Sequence, residues 1–168
     1  FRHGIFNRMS VQTLTQAIPR GAFRVADSQV ASRWGNITEF KGFDLITPNE
    51  REARFALGDQ DSTLGHLASI LNESAEFQNL ILKLGDRGIF CVNRNADVKN
   101  SYFSIDSFAS NVVDAVGAGD ALLAYATLAM LATESLIIAG ILGSMAAACE
   151  CEYDGNIPIQ PENVLAKI

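Results

Sequence analysis

Histidine, cysteine and a surplus of basic residues are what this sequence has least of. His3 and His66 are the only histidines and lie far apart, so a metal site built on imidazoles is not expected. Three cysteines, Cys91, Cys149 and Cys151, form no C-x-x-C pair, and the last two are too close along one helix to bridge easily. They are expected to be reduced thiols of a cytoplasmic protein. Lys and Arg number 13 against 19 Asp and Glu, a net charge of −6. That balance argues against binding nucleic acid or an anionic membrane, either of which wants a basic face. It leaves room for a phosphorylated small molecule, which needs only one local anion site. No apolar run of spanning length is free of charge, and no signal peptide opens the chain. Phe1 is not a methionine, and "FRHGIF" reads as the interior of something longer, so the chain is expected to be a fragment.

What is present is enough apolar material for one domain's core: 168 residues, 48% hydrophobic. Strand-like and helix-like stretches alternate. A short helix is expected over Ser10–Ala17 with Ser10 as N-cap, then a strand over Ala22–Asp27, "AFRVAD". A polar, poorly periodic stretch follows, to Lys41. "FDLIT", Phe43–Thr47, reads as a strand and hands over to a helix over Pro48–Leu57, with Thr47 and Glu50 as capping box and Pro48 at the first helical position. A helix over Ser62–Ala75, a buried-type strand "NLILKLG" (Asn79–Gly85) and a tight turn into "GIFCVN" (Gly88–Asn93) come next. "SYFSID" (Ser101–Asp106) alternates like a further strand. Helices are then expected from Gly117 to Leu131, from Ser135 to Cys149, and from Pro161 onward. This order predicts an α/β fold with a largely parallel sheet.

Three short stretches carry chemistry. In "DAVGAGD", Asp114–Asp120, a glycine turn runs into a helix and exposes backbone N–H groups at the positive end of the helix dipole. That is an anion site, and small residues let a phosphate approach the backbone. Asp120, in the first turn, is a poor phosphate ligand because like charges repel. It is well placed as a base that takes a proton from a hydroxyl attacking phosphorus. The competing explanation is a plain glycine turn with Asp120 stabilising the helix start. In "TPNERE", Asn49 and Glu50 stand just past the carboxyl end of a strand, the edge where open parallel sheets bind ligands. An amide and a carboxylate there suit a phosphate oxygen and a hydrated Mg2+, although capping alone also accounts for the segment. In "LKLGDRG", Gly85 and Gly88 flank a hairpin turn, and Gly85 would let a nucleotide approach the backbone.

Together and in this order, these stretches resemble the ribokinase-like (PfkB-type) carbohydrate kinases, which carry T-P-N-E, L-G-x-x-G and D-T-x-G-A-G-D segments at comparable spacing. The resemblance covers nearly the whole chain but only the C-terminal half of such a kinase. It implies a three-layer α/β/α fold, incomplete here, with residues 1–168 as its C-terminal nucleotide-binding portion and the N-terminal half and lid absent. It implies ATP as co-substrate and Mg2+ as cofactor. Asp120 matches the catalytic base, and Gly117, Ala118 and Gly119 the anion hole. Asn49 and Glu50 match the pair near the phosphates and Mg2+, with Glu50 acting through water. Gly85 and Gly88 match the nucleotide-contacting turn, and Ser144 a residue beside the adenine. Ala115 and Lys83 depart from the family, which usually has threonine at both places; the first bears on any monovalent cation site near Asp114.

"FRHGIF" and the stretch from Val25 to Leu57 look closest to the heptose kinases of lipopolysaccharide precursor synthesis, which implies a sugar or sugar phosphate as acceptor. Arg24, Arg33 and Arg51 are more simply read as solvated surface. The alternative function is a non-catalytic nucleotide- or sugar-phosphate-binding module of the same fold. A nucleotidyltransferase is disfavoured by the absence of an H-x-G-H signature. Cutting the sheet would expose an apolar edge from segments such as "LILKL", which predicts pairing between copies, a homodimer.

Overall fold

The computed structural model describes residues 7–28, 37–97, 101–155 and 157–168. "FRHGIF" and Arg33 lie outside them. The chain divides into two compact units, Phe1–Lys83 with Val92–Tyr102, and Leu84–Cys91 with Phe103–Ile168.

The first unit holds α1 (Arg8–Ala17), β1 (Val25–Ala26), β2 (Leu45–Ile46), α2 (Glu50–Leu57), α3 (Leu64–Ala75) and β3 (Asn79–Lys83). β1 runs parallel to β2 and β2 parallel to β3, in the register Val25–Leu45–Asn79 and Ala26–Ile46–Leu80. Parallel neighbours need a crossover, and α2 and α3 supply it between β2 and β3. The core gathers Leu45, Ile46, Ala53, Leu67, Leu71, Phe77, Leu80, Ile81 and Leu82, all fully buried. That continuous apolar run through β3 is what a strand covered on both faces requires.

The remaining elements are β4 (Ile89–Asn93), β5 (Tyr102–Ile105), α4 (Ala118–Thr133), α5 (Leu136–Cys151) and α6 (Pro161–Leu165). The five strands form one sheet in the order β1-β2-β3-β4-β5. It is mixed. β3 turns back into β4 through a hairpin in which the Leu84 N–H donates to the Gly88 carbonyl at 2.8 Å. In the second unit α4 and α5 form a tight antiparallel pair. A Cβ at Gly143 would stand 3.0 Å from the Leu122 carbonyl, so the backbones meet where side chains are small. Met145, Ala146, Cys149 and Val164 form a core cluster that docks α6, with Tyr125 and Ile159 packed against it.

The α/β expectation holds, with a sheet flanked by helices. Three helix starts differ from it. α3 opens at Leu64, not Ser62, because Thr63 is the cap and accepts the His66 N–H. α1 begins at Arg8, because Asn7 accepts the Ser10 N–H at 3.0 Å and the Ser10 hydroxyl accepts the Asn7 N–H; Ser10 is the third helical residue, not the cap. α2 begins at Glu50, not Pro48, and its cap is Asn49. The reason lies in the sheet. The Thr47 N–H donates to the Ala26 carbonyl at 3.0 Å, and the Pro48 carbonyl accepts the Lys83 N–H at 2.9 Å. The Thr47–Pro48 segment is committed to strand-like pairing, so the helix cannot open until Asn49.

The expected apolar edge also differs. All of "LILKL" but Leu84 lies in β3, inside the sheet between β2 and β4, with Leu80, Ile81 and Leu82 fully buried. Its exposure therefore offers no route to pairing between copies. Among the described residues no helix is long and apolar enough to cross a membrane. The three cysteines are free thiols, and burial pushes Cys91 up to about 12.

Candidate active site

The glycine turn of the second unit is held from behind. The N–H groups of Val113 and Asp114 both donate to the Cys151 carbonyl, at 2.7 and 3.2 Å. Just past α5, Glu152 accepts from the Ser110 hydroxyl at 3.2 Å and from Lys167 Nζ at 2.7 Å. The Lys167 hydrogen bond holds the Glu152 carboxyl below the usual carboxylate range. The loop entering the turn is thus tied to the carboxyl end of α5. The Asp114 carboxylate then accepts the Val116 N–H at 3.0 Å and folds the chain into the turn.

Gly117 is the N-cap of α4, with φ 92° and ψ −21°. Left-handed backbone at a cap suits glycine, where a Cβ would cost about 1–2 kcal/mol. No side chain caps this helix, which sets it apart from α1, α2, α3 and α5, where Asn7, Asn49, Thr63 and Ser135 accept first-turn N–H groups. The Ala118 N–H has a long 3.4 Å bond to the Ala115 carbonyl. The first-turn N–H groups of α4 therefore have no side-chain cap at the positive end of a sixteen-residue helix. Asp120 is exposed in that first turn, and Gly117, Ala118 and Gly119 beside it are half-buried. Ser144 lies in the middle of α5, 6% exposed, and its hydroxyl finds no hydrogen-bond partner.

In the hairpin turn, the two glycines do different jobs. Gly88 has φ +80°, and a Cβ on it would come within 2.1 Å of the Ile105 carbonyl. It is required by close packing against the end of β5. Gly85 has φ +68° but faces open space. Of the two, only Gly85 leaves room for a ligand against bare backbone.

In the first unit, Asn49 and Glu50 stand at the start of α2, as expected, but with different partners. Asn49 Oδ1 accepts the Glu52 N–H at 2.8 Å, and the Glu52 carboxylate accepts the Asn49 N–H at 2.7 Å. The capping box is Asn49 with Glu52, and Glu52 is 6% exposed. Glu50 Oε1 instead takes two bonds from Arg54, at 3.0 and 2.8 Å. Thr47, released from capping, is fully buried with its hydroxyl unpartnered. Sequence reasoning missed Glu52, although the N-x-x-E spacing from Asn49 was a signal for it. It also missed an ion pair between Asp27 and Lys83, of which only the unusual Lys83 gave notice.

No group of three or more His, Cys, Asp or Glu able to hold a metal occurs among the described residues. Mg2+ does not need one: it commonly takes one or two carboxylates and fills its shell with water and substrate phosphates. A Glu50 carboxylate fixed by Arg54 at a helix start fits that use.

A family model described as pfkB family carbohydrate kinase matches residues 7–163. The bifunctional protein HldE of Geobacter metallireducens is 27% identical over 142 residues, which cover 83% of this chain and 28% of that protein. The HldE of Pelobacter propionicus is 26% identical over 133 residues, 77% of this chain and 26% of that one. Among solved structures, a ribokinase from Thermotoga maritima superposes with a TM-score of 0.74 at 28% identity, covering 92% of this chain and 52% of that one. Phosphofructokinase-2 from Escherichia coli, solved with potassium, gives a TM-score of 0.78 at 17% identity, over 96% of this chain and 52% of that one; at that identity the likeness is one of fold. The chain thus spans about half the length of these solved kinases and about a quarter of the curated relatives.

Proposed function

Because the chain belongs to the pfkB family of carbohydrate kinases, we propose that it is the C-terminal, nucleotide-binding portion of a kinase that transfers a phosphoryl group from ATP to a hydroxyl of a sugar or sugar phosphate. The observation that carries this reading is a helix start with no side-chain cap, opening on Gly117, with the exposed Asp120 in its first turn. A helix that only needed to begin would use Ser, Thr, Asn or Asp at its cap, as α1, α2, α3 and α5 do.

In this reading the acceptor hydroxyl oxygen forms a bond to the γ-phosphorus while the bond to the bridging oxygen breaks and ADP leaves. Asp120 takes the hydroxyl proton. The N–H groups of Gly117, Ala118 and Gly119 donate to the phosphoryl oxygens as charge develops on them. Asn49 orients a phosphate oxygen, and Glu50 would hold Mg2+ through its hydration water, where the ion would supply charge that offsets that of the phosphates. Gly85 admits the nucleotide to the hairpin backbone, with Gly88 fixing the turn, and Ser144 offers its buried hydroxyl toward the adenine. The Asp114 carboxylate, engaged by Val116, is the group from which any monovalent cation site would be built. The cytoplasm, where ATP is available, is the proposed compartment. A heptose phosphate is the proposed acceptor, on the resemblance of Val25–Leu57 to the heptose kinases.

The test is sugar-dependent ADP release by the longer protein expected to carry this chain, given Mg·ATP and a panel of sugars and sugar phosphates. Release with one acceptor class, strongest with a heptose phosphate, supports the reading. Tight ATP binding with no acceptor-dependent release would instead make the chain part of a non-catalytic binding module.

A further inference from the structure

We infer that Lys83 is a phosphate-binding residue that Asp27 holds in reserve. The inference rests on the proposed phosphoryl-transfer reading only for the class of ligand; the geometry stands by itself. Lys83 Nζ contacts both oxygens of Asp27, at 3.0 and 2.8 Å. The two side chains are 17% and 18% exposed, sheltered enough to matter and open enough for a dissolved anion to reach.

The register locates this pair. Ala26, Ile46 and Leu80 are neighbours across the parallel strands, the Thr47 N–H carries the ladder one step further onto Ala26, and Asn49 pairs with Lys83. Side chains alternate along each strand. Asp27, Thr47, Asn49 and Lys83 therefore stand on one face at the carboxyl end of the sheet, and Ala26, Ile46, Pro48, Leu80 and Leu82 on the other. Lys83 reaches from β3 across β2 to the end of β1, over the face that carries Thr47. The Thr47 hydroxyl there is fully buried and has no hydrogen-bond partner.

A bridge placed only to join two strands would be expected to leave its surroundings satisfied. This one spans the edge where parallel sheets bind ligands and leaves a donor-capable hydroxyl without a partner on the face that also carries Asn49. Asp27 also accepts the Ser28 N–H at 3.0 Å, so its carboxylate keeps one partner when Lys83 leaves. An arriving phosphate competes with Asp27 for the ammonium, and Lys83 turns to it. The phosphate belongs to the triphosphate of the donor or to an acceptor that is already phosphorylated.

The opposing roles of the two residues give the test. The longer protein is titrated with inorganic tripolyphosphate and, separately, with a hexose phosphate, followed by 31P NMR, with no acceptor turnover involved. Asp27→Asn releases Lys83 and is expected to tighten binding of one probe by roughly two- to fivefold, the weight of a partly exposed ion pair. Lys83→Met is expected to weaken the same probe by about tenfold or more, and Lys83→Arg to retain most of the affinity. The probe that responds identifies the source of the phosphate. Should Lys83→Met fail to fold, Asp27→Asn and Lys83→Arg decide. Weakening or no change in both probes on Asp27→Asn would make the pair a strand tie and overturn the inference. Because no sugar is turned over, failure here is distinct from failure of the kinase reading: opposite-signed shifts without phosphoryl transfer would keep Lys83 and remove the kinase.

Discussion

Glu50 and Glu52 differ by two positions and by everything around them. Glu52 is buried and returns the cap bond to Asn49, whereas Glu50 is partly exposed and fixed by Arg54. Replacing Glu50 by Gln removes a charge that hydrated Mg2+ would feel and keeps the helix start. The expected result is a higher Mg2+ concentration for half-maximal rate, with the melting temperature little changed, since a helical i,i+4 pair contributes only about 0.3–0.5 kcal/mol and glutamine can still accept from Arg54. Glu52→Gln is the comparison, because glutamine also serves a capping box. If the Mg2+ dependence moves with Glu52→Gln and not with Glu50→Gln, the carboxylate beside Asn49 is the working one and Glu50 serves Arg54 alone.

At the scale of elements, the hairpin at Gly85–Gly88 separates conformational need from function. Gly88→Ala forces a Cβ into the Ile105 carbonyl at a positive φ. It is expected to destabilise the protein by about 2–5 kcal/mol, measured by denaturant unfolding. Gly85→Ala meets open space and is expected to cost about 1–2 kcal/mol from its backbone angle alone, while weakening nucleotide binding. Equal stability losses at the two positions would contradict this division.

The same elements show what sequence can carry. The helices from Gly117 and toward Cys149 were legible because long apolar runs mark them, with Gly117 opening the first and Ser135 the second. The hairpin was legible from its two glycines. The start of α2 was not, because Thr-Pro-Asn-Glu satisfies the local rules for a cap at Thr47. The decision is taken by Ala26 and Lys83, which draw Thr47 and Pro48 into sheet pairing from elsewhere in the chain. The Asp27–Lys83 pair was hidden for the same reason, since only the register of three strands brings positions 27 and 83 together. The placement of "LILKL" inside the sheet likewise depended on which strands pair, a matter its own composition does not decide.

For the molecule as a whole, the proposed function asks one turn to supply both an anion site and a base, and the rest of a kinase to deliver a hydroxyl to them. Positioning of that kind can be worth roughly 7–11 kcal/mol, which is why the activity is expected of a longer protein. The most direct measurement is Asp120→Asn in that protein, with acceptor-dependent ADP release and ATP affinity read on the same preparation. Loss of a general base predicts a fall in turnover of about 10²–10⁴, with ATP affinity within roughly tenfold of the parent. Turnover close to that of the parent, with the substitution verified and the protein folded, would show that Asp120 is not the base and would contradict the account at its centre.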